Sequence, residues 1–405
     1  MRTIRRVSIE NNVESESMFN SNYVYDSSRS ITMLKHFESA SINLQRRFNP
    51  QKTLEIGSNS GIFIKHFPND KSIAVEPCDN FAELTNKMSI KTYADYWNQE
   101  TCEKILSKHG KMDLVFSSNT ISHVQNLNET LQSIKNILND DGVFVLETPS
   151  FLEVLKYNAF DQFYHEHQSY FSLISLENLL DKIDMRIFDV SKHNVHGGTY
   201  RVMICNTKAN YFDVDNSFYK DESDYGVDNF DKIKKRIDIM RQNMVNIKDL
   251  LEDLKQKGNR VVGYGATAKF TNVMNMCGLN NKHIDYVLDT TPLKNNKWIP
   301  NTNVQIKERK KPKYTPLSKR QDRPDAILWL CKNASELTDG QISKLVGSTK
   351  GTVSLIRKRS YWNFSNLKPR DPVILALCTQ ESFQKAWDKA KRRVEREKKR
   401  LIREE

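Results

Sequence analysis

A strand that ends in a glycine turn is the feature that most constrains the fold of this chain. Within residues 53–67 an apolar run ends at Ile56, Gly57 and Gly61 flank a short polar turn, and apolar spacing resumes at Ile62. The pattern predicts a buried strand, a tight turn and a helix that begins at Ile62. Glycines at such a turn let the backbone approach a ligand closely, and a helix start offers free N–H groups.

Further strands and helices alternate behind this turn. Apolar runs predict strands at 72–75, 112–116 and 142–146, and apolar periodicity predicts a helix at 127–138. Strands that alternate with helices form a parallel, doubly wound α/β sheet. Ligands of such sheets bind at the carboxyl ends of the strands.

Two polar residues at predicted strand ends indicate what binds there. Glu76 follows the second strand, about twenty residues after the first, where a carboxylate can accept both hydroxyls of a ribose. Asn119 follows the third strand. The glycine turn alone fits a structural turn equally well, but the three features together favour a cofactor site. The absence of a Gly-x-Gly-x-x-Gly pattern favours S-adenosylmethionine over a dinucleotide.

Residues 160–172 carry a cluster of acid–base groups. Histidine suits proton transfer near neutrality, and a neighbouring carboxylate can orient it. A metal site is the weaker alternative, because His-x-His supplies only two ligands. A polar, aromatic surface turn is the structural alternative. The cluster comprises Tyr164, His165, Glu166, His167 and Tyr170.

Two later segments predict contacts with a substrate. His196, Gly197 and Gly198 precede an apolar strand, where the glycines permit close backbone approach and Arg201 is a candidate anion clamp. Residues 260–269 then repeat the strand–glycine–helix pattern, ahead of a strand at 284–289. A structural crossover turn is the alternative for this second pattern.

Between these segments, apolar residues at alternating spacings of four and three predict one amphipathic helix over 230–257. Such a helix packs between domains or against a second copy of the chain, as in a homodimer.

Length and composition exclude several classes of protein. At 405 residues the chain is long enough for two or three cores. No apolar run reaches the roughly 18 residues of a membrane span, and the first ten residues lack the apolar stretch of a signal peptide. The six cysteines form no Cys-x-x-Cys pair, so we expect neither disulfides nor a metal site. Free cysteines also predict a cytoplasmic location.

The positive charge is confined to the last quarter. Residues 307–405 hold 26 Lys and Arg against 12 Asp and Glu, a net charge of +14 in a chain whose overall charge is +12. This asymmetry favours a polyanionic partner for the tail, although residues 385–405 alone also fit a solvated helix.

Within the tail, a helix at 339–345, a turn at Val346-Gly347 and a helix at 349–357 fit a helix-turn-helix. The residues expected to face a DNA groove or its phosphates are Lys350, Thr352, Ser354, Arg357 and Arg359.

From about residue 19 to 306 the chain resembles the bacterial sugar C-methyltransferases, class I methyltransferases that act on nucleotide-linked deoxysugars. The resemblance is carried by residues 23–28, 55–61, 164–172, 196–199, 263–269 and 284–289. It implies a Rossmann-like domain, a second smaller Rossmann-like domain and S-adenosylmethionine as cofactor. The cofactor residues it implies are Glu55, Gly57, Ser58, Asn59, Gly61, Glu76 and Asn119.

The resemblance also implies a reaction on a keto sugar. Tyr164, Glu166 and His167 would line the reacting centre, with His167 removing a proton next to the carbonyl and Tyr164 holding the oxyanion. The implied contacts to the nucleotide sugar are made by Tyr25, His196, Gly197, Arg201, Gly265 and Lys269. The second Rossmann-like unit would help to hold the nucleotide sugar, with a helix start at Ala266 and the Lys269 side chain suited to its diphosphate. The chain departs from the family in lacking a cysteine-rich zinc module and in having Ser60 where Asp is usual.

The tail resembles a different family. Residues 314–380 are similar to the TrcR-type bacterial cell-cycle transcriptional regulators, on the evidence of 314–326, 341–347, Trp362-Asn363 and 366–373. The resemblance implies a small all-α module joined to a truncated second Rossmann-like domain, although residues 324–329 could form one further strand of that domain.

We therefore expect a cap segment at 1–48, a cofactor domain at 49–155, a catalytic segment at 156–228, a substrate domain at 229–306 and the basic module at 307–405. The competing hypothesis is a DNA-binding regulator whose front part binds ligand without reacting.

Overall fold

The computed structural model describes residues 7–8, 13–212, 217–309 and 322–404. The chain divides into two compact units, Met1–Arg309 and Lys310–Glu405. The strands are β1 Val7–Ser8, β2 Thr53–Ile56, β3 Ser72–Val75, β4 Lys91–Tyr93, β5 Met112–Ser118, β6 Leu138–Pro149, β7 Ser169–Tyr170, β8 Met185–His193, β9 Thr199–Asn206, β10 Val262–Tyr264, β11 Tyr286–Asp289, β12 Trp298–Ile299 and β13 Val304–Glu308.

The helices of the first unit are α1 Ser15–Met18, α2 Ile31–Phe48, α3 Asp79–Lys87, α4 Gln99–His109, α5 Leu127–Ile137, α6 Phe151–Lys156, α7 Leu173–Leu180, α8 Ser217–Tyr225, α9 Phe230–Gln256 and α10 Ala268–Met276. Those of the second unit are α11 Arg323–Asn333, α12 Asp339–Val346, α13 Lys350–Arg357 and α14 Gln380–Glu404. None of the described helices is long and apolar enough to cross a membrane.

A seven-stranded sheet with the order β4-β3-β2-β5-β6-β9-β8 organises the first unit. The five strands from β4 to β6 are parallel, which confirms the predicted α/β class. β9 runs antiparallel to both β6 and β8. Strands β8 and β9 are formed by residues that the sequence analysis assigned to the catalytic segment. The chain between β6 and β8 therefore leaves the sheet and returns to it, and both of its ends are fixed.

The predicted helix at Ile62 is replaced by a turn and a short 3-10 helix, Ile64–His66. Ile62, Phe63 and Ile64 are buried in succession, so they do not lie on one face of an α-helix. Pro68 then stops any continuation.

A smaller sheet with the order β10-β11-β13-β12 follows the long helix α9. β10, β11 and β13 are parallel and β12 is antiparallel. The helix after the second glycine turn begins at Ala268, behind the N-cap Thr267, and not at Ala266 as the sequence predicted. In the described part of the chain no strand pairs with the outer edge of β10.

The second unit has an all-α core. The strand predicted at 324–329 is wrong, because these residues lie in α11. Pro324 occupies the first turn of that helix, where its missing N–H costs no hydrogen bond. Helices α12 and α13 lie close to the predicted positions, joined by Gly347 in a left-handed conformation (φ +67°). Tyr314 and the other residues of 310–321 lie outside the described residues.

Candidate active site

A pocket opens at the carboxyl ends of β2, β3 and β5, where the sequence predicted a ligand. Gly57, Asn59, Glu76 and Asn119, four of the predicted cofactor residues, line it. The strand order makes this possible, because β3 and β5 flank β2 on either side and their ends meet at one edge of the sheet.

Gly57 has the backbone conformation and the space that only glycine suits. Its φ is +73°, and a Cβ atom there would lie 2.2 Å from Thr120 Oγ1. Any side chain at this position would therefore both strain the turn and collide with the wall of the pocket.

The carboxylate of Glu76 organises the turn from the neighbouring strand end. It accepts hydrogen bonds from the backbone N–H of Asn59 at 2.6 Å and of Cys78 at 2.9 Å. The residue is buried, and burial raises the pKa of its carboxyl. The two backbone bonds hold the carboxylate in the pocket wall, where its remaining lone pairs can accept from a diol.

Asn119 holds an acceptor that lacks a partner. Its backbone is left-handed (φ +56°), and its N–H donates to the Glu147 carbonyl oxygen at 2.8 Å. Its Oδ1 atom is buried without a hydrogen-bond partner in the described protein. A buried acceptor without a partner is costly, so a donor on a bound ligand would fit this position.

Three predicted cofactor residues lie behind the pocket rather than on its lining. Glu55 Oε2 accepts from the N–H of Ile64 at 3.1 Å, and burial raises its pKa well above the ordinary value. Ser58 is buried, and its Oγ also has no hydrogen-bond partner among the described residues. A Cβ on Gly61 would lie 2.8 Å from Thr85 Cγ2, so this glycine serves packing.

The segment before α2 covers the pocket. Phe19, Tyr23 and Tyr25 contribute to the lining. Asn59 anchors this segment, because its Nδ2 donates to the Tyr25 carbonyl oxygen at 2.9 Å and its Oδ1 accepts from the N–H of Ser27 at 3.0 Å. Tyr23 was not predicted as a site residue. Burial, followed by the charge of Glu166, raises the pKa of its hydroxyl far above the ordinary value.

His167 and Tyr164 form a directed pair. The Nδ1–H of His167 donates to the Gln162 carbonyl oxygen at 3.0 Å, since a carbonyl can only accept. The Nε2 atom therefore accepts from the Tyr164 hydroxyl, also at 3.0 Å. Burial, with smaller effects from His123 and Lys269, lowers the pKa of His167 to about 2. The imidazole is thus neutral at physiological pH, with its Nε2 lone pair on the Tyr164 side.

His123, which sequence reasoning missed, joins the cluster to the pocket. It lines the pocket, and its Nδ1–H donates to the Glu166 carbonyl oxygen at 2.5 Å. Its ring centroid lies 5.1 Å from that of His167. Burial lowers its pKa to about 4. The only sequence signal was its position four residues after Asn119, which carries no motif by itself.

Glu166 has a half-buried side chain. Burial raises the pKa of its carboxyl. After burial, the charge of its carboxylate is the next cause that raises the pKa of the Tyr23 and Tyr164 hydroxyls.

Arg201, the predicted anion clamp, lies in a buried ion pair. Its Nη2 and Nε atoms donate to Glu147 Oε1 at 2.7 and 2.8 Å, and His36 Nε2 bonds the same carboxylate at 3.0 Å. Burial opposes ionisation of Glu147, but the His36 hydrogen bond and the Arg201 charge outweigh it and lower the pKa to about 2. This pairing accounts for Arg201 without a substrate anion.

The second glycine-rich segment also approaches the cluster. Gln162 Nε2 donates to the His196 carbonyl oxygen at 2.9 Å, which ties the His196-Gly197 turn to the histidine cluster. The Oε1 atom of Gln162 is buried without a partner in the described protein. Gly265 has a positive φ of +82°, and a Cβ there would make an ordinary contact with Thr267 Cγ2 at 3.8 Å.

In the second unit, the predicted DNA-facing residues differ in their surroundings. Lys350 is exposed at the start of α13, and Ser354 is half-buried. Thr352 Oγ1 is paired with the N-cap Thr349 at 2.9 Å. Arg357 is engaged within the unit, because it donates to Asp339 Oδ1 at 2.9 Å and to the Leu337 carbonyl oxygen at 2.8 Å.

Comparison with known proteins shows that the chain is a methyltransferase that uses S-adenosylmethionine. Residues 33–190 match the family described as "Methyltransferase domain". The chain is similar to the C-methyltransferase NovU of Streptomyces niveus, with 29% identity over 293 residues that cover 71% of this chain and 68% of NovU. These findings confirm the predicted class of enzyme and its cofactor.

Solved methyltransferases align with less than half of the chain. The magnesium protoporphyrin IX methyltransferase of Synechocystis PCC 6803, solved with bound SAH, is 8% identical and aligns with 44% of this chain and 88% of its own, with a TM-score of 0.34. An S-adenosylmethionine-dependent methyltransferase of Clostridium acetobutylicum is 14% identical, with coverages of 43% and 92% and a TM-score of 0.35.

The tail has its own relatives. Residues 272–392 match the family described as "Transcriptional cell cycle regulator TrcR". The match confirms the resemblance predicted for the tail. It begins at residue 272, inside the first unit and ahead of the predicted start at 314.

Proposed function

We propose that the chain transfers a methyl group to a carbon atom next to the carbonyl of a nucleotide-linked keto sugar. The observation that carries this proposal is the position of His123, which lines the cofactor pocket and bonds the backbone of Glu166 in the histidine cluster. In this proposal the methyl donor would lie next to the proton-transfer groups. The likeness to a C-methyltransferase supports carbon as the acceptor.

In the proposed reaction, four residues would hold the cofactor. Gly57 lets the backbone approach, Glu76 accepts from the ribose hydroxyls, and the free acceptor of Asn119 takes a donor of the ligand. Asn59 fixes the segment that covers the pocket. When bound, S-adenosylmethionine supplies an electrophilic methyl group.

The protein's own part is to remove a proton and hold the resulting charge. A hydrogen on the carbon next to a carbonyl is acidic, because its loss gives an enolate. His167 Nε2 takes this proton once the Tyr164 hydroxyl turns from it to the substrate oxygen. The low pKa of His167 is that of the buried imidazole without substrate. An adjacent enolate would stabilise the imidazolium and so raise this pKa. Glu166, whose pKa burial raises, is the alternative base.

A direct assay tests this proposal. The full chain is incubated with methyl-labelled S-adenosylmethionine and dTDP-4-keto-6-deoxyglucose, and the sugar product is analysed by mass spectrometry and NMR. A new carbon–methyl bond next to the carbonyl supports the proposal. Label on oxygen, or tight cofactor binding without any transfer, contradicts it, and the second result favours a non-catalytic front part.

DNA binding by the tail is a second proposed function, on a separate observation. Lys350 is exposed at the first position of α13, the second helix of the predicted helix-turn-helix, and the match to a transcriptional regulator family covers this region. A mobility shift with genomic DNA fragments at low and moderate salt tests it. Absence of a complex even at low salt rules out this function.

A further inference from the structure

Helix α10 is fixed to the loop that carries the histidine cluster. Asn272 Nδ2 donates to the carbonyl oxygens of Phe163 at 2.9 Å and Asp161 at 3.3 Å. Lys269 precedes Asn272 by three residues, and residues at this spacing share one face of a helix. The side chain of Lys269 therefore lies on the face of α10 that meets residues 160–167.

The charge of the Lys269 ammonium group lowers the pKa of two histidines. The pKa of His167 is lowered first by burial, then by His123 and by the charge of Lys269. The pKa of His196 is lowered to about 4 by burial first and then by the same charge. Burial also lowers the pKa of Lys269, while Asp161 acts in the opposite direction. In the described part of the chain, no salt bridge joins this ammonium to a carboxylate.

We propose that Lys269 contacts the carbonyl oxygen of the keto sugar and stabilises the oxyanion that forms there, and that it does not act as a clamp for the diphosphate. The inference rests on the proposed function. In the step concerned, the C–H bond breaks, its proton goes to the base, its electron pair forms the C=C bond of the enolate, and the carbonyl π pair moves to oxygen. A cation fixed before the reaction stabilises this oxygen more than the neutral carbonyl.

The free acceptor of Gln162 supports the same placement. Its backbone carbonyl accepts from His167 and its Nε2 donates to His196, while its buried Oε1 lacks a partner in the described protein. A sugar hydroxyl could donate to this atom while the neighbouring carbonyl oxygen faces Lys269. The cluster thus offers a proton acceptor, a cation and a hydroxyl acceptor in one place.

The first test measures deuterium uptake from D2O into dTDP-4-keto-6-deoxyglucose, with the full chain, and the affinity for dTDP. For Lys269→Met we expect exchange to slow by about 100-fold or more, which is the cost of losing one oxyanion-stabilising group, with unchanged binding of dTDP and of S-adenosylmethionine. Lys269→Arg should recover part of the rate. Lys282→Met, which removes an exposed lysine, is the matched control.

The outcomes distinguish oxyanion stabilisation by Lys269 from a diphosphate clamp and from failure of the proposed function. Weakened dTDP binding with normal exchange in Lys269→Met would establish a diphosphate clamp and overturn the inference. Absence of exchange in the wild-type chain would overturn the proposed function, and the inference with it. Independently of any substrate, NMR titration should show a higher pKa of His196 in Lys269→Met and no change in Lys282→Met. An unchanged His196 pKa would overturn the placement itself.

Discussion

The Tyr164 hydroxyl lies 3.0 Å from His167 Nε2, and the Nδ1–H of the same imidazole is fixed on the Gln162 carbonyl oxygen. The ring therefore has one defined tautomer, with its basic nitrogen directed at Tyr164. A single hydroxyl rotation frees the base and supplies a donor to the substrate oxygen. This coupling of base and donor underlies the first prediction.

Replacing His167 should slow turnover strongly without loss of cofactor affinity. We expect His167→Asn to lower kcat by about 10²–10⁴-fold, the usual contribution of a general base, and Tyr164→Phe to lower it less. Steady-state kinetics and calorimetric titration with S-adenosylmethionine measure the two effects. If Glu166→Gln loses activity and His167→Asn retains it, Glu166 is the base.

Removing the Glu76 carboxylate should weaken cofactor binding. Glu76→Ala loses the predicted ribose acceptor and leaves the N–H groups of Asn59 and Cys78 without a partner. At about 1.5–3 kcal/mol for a hydrogen bond to a charged group, S-adenosylmethionine should bind at least tenfold more weakly. Glu83→Ala, on the exposed side of α3, makes the same charge change and should have no effect. Equal affinities of the two variants would remove Glu76 from the cofactor site.

A methyl group at Gly57 should disturb the cofactor turn more than the same change at a glycine with free space. Gly57 and Gly258 have nearly equal φ values of +73° and +75°, but only the added Cβ at Gly57 meets Thr120. Gly258→Ala should cost about 1–2 kcal/mol of strain, and Gly57→Ala about 1–3 kcal/mol more from the collision. Urea unfolding measures both. Equal losses of unfolding free energy in the two variants would mean that the turn rearranges to accommodate the side chain.

Arg201 should matter for stability rather than for substrate affinity. Arg201→Met leaves the buried Glu147 carboxylate without its cation, at a cost of about 3–5 kcal/mol at pH 7. Arg241→Met, in an exposed pair with Asp238, should change stability by less than about 1 kcal/mol. A stable Arg201→Met chain with a raised KM would instead support the anion clamp.

The same ion pair predicts how stability changes in acid. The folded pKa of Glu147, about 2, lies below the ordinary value of 4.5, so its stabilising effect is full above 4.5 and is lost as the pH falls towards 2. In Arg201→Met the deficit should shrink on acidification, because a protonated Glu147 needs no cation. Unfolding at pH 7 and pH 4 compares the two proteins, and a deficit independent of pH would contradict the assignment.

Lys350 should contribute one phosphate contact if the tail binds DNA. In the full chain, Lys350→Ala should reduce the slope of log affinity against log salt concentration by about 1. Lys234→Ala, at an exposed position of α9, is the control with the same charge change. Arg357→Ala should instead destabilise the second unit, since its guanidinium holds Asp339 and the Leu337 carbonyl. An unchanged salt slope in Lys350→Ala would exclude this lysine from the contact.

The positions of candidate site residues could be predicted where the sequence pattern is local. Glu76 and Asn119 could be placed because each directly follows an apolar strand, and parallel strands bring such positions together. Tyr164, Glu166 and His167 could be grouped because they lie within four residues of one another.

Contacts between residues that are far apart in the sequence could not be predicted from local patterns. Glu147 and Arg201 are 54 residues apart, and nothing near Arg201 indicates a buried carboxylate beside it. The antiparallel insertion of β9 between β6 and β8 likewise depends on pairing across the fold. At 324–329, a short apolar run fits a strand or a buried helix equally well, and the packing of the helical unit decides between them.

The outer edge of β10 has a consequence for how the protein behaves in concentrated solution. Its backbone groups face no neighbouring strand in the described chain, and Val262 and Tyr264 on it are 38% and 64% exposed. Such an edge is a template for a strand of another molecule. Arg260, two residues before β10, and Arg309, whose guanidinium lies 4.8 Å from the Tyr264 ring centroid, oppose this by repulsion between molecules. Salt screens that repulsion, so we expect purified protein to remain dispersed in dilute buffer and to associate edge to edge as ionic strength rises.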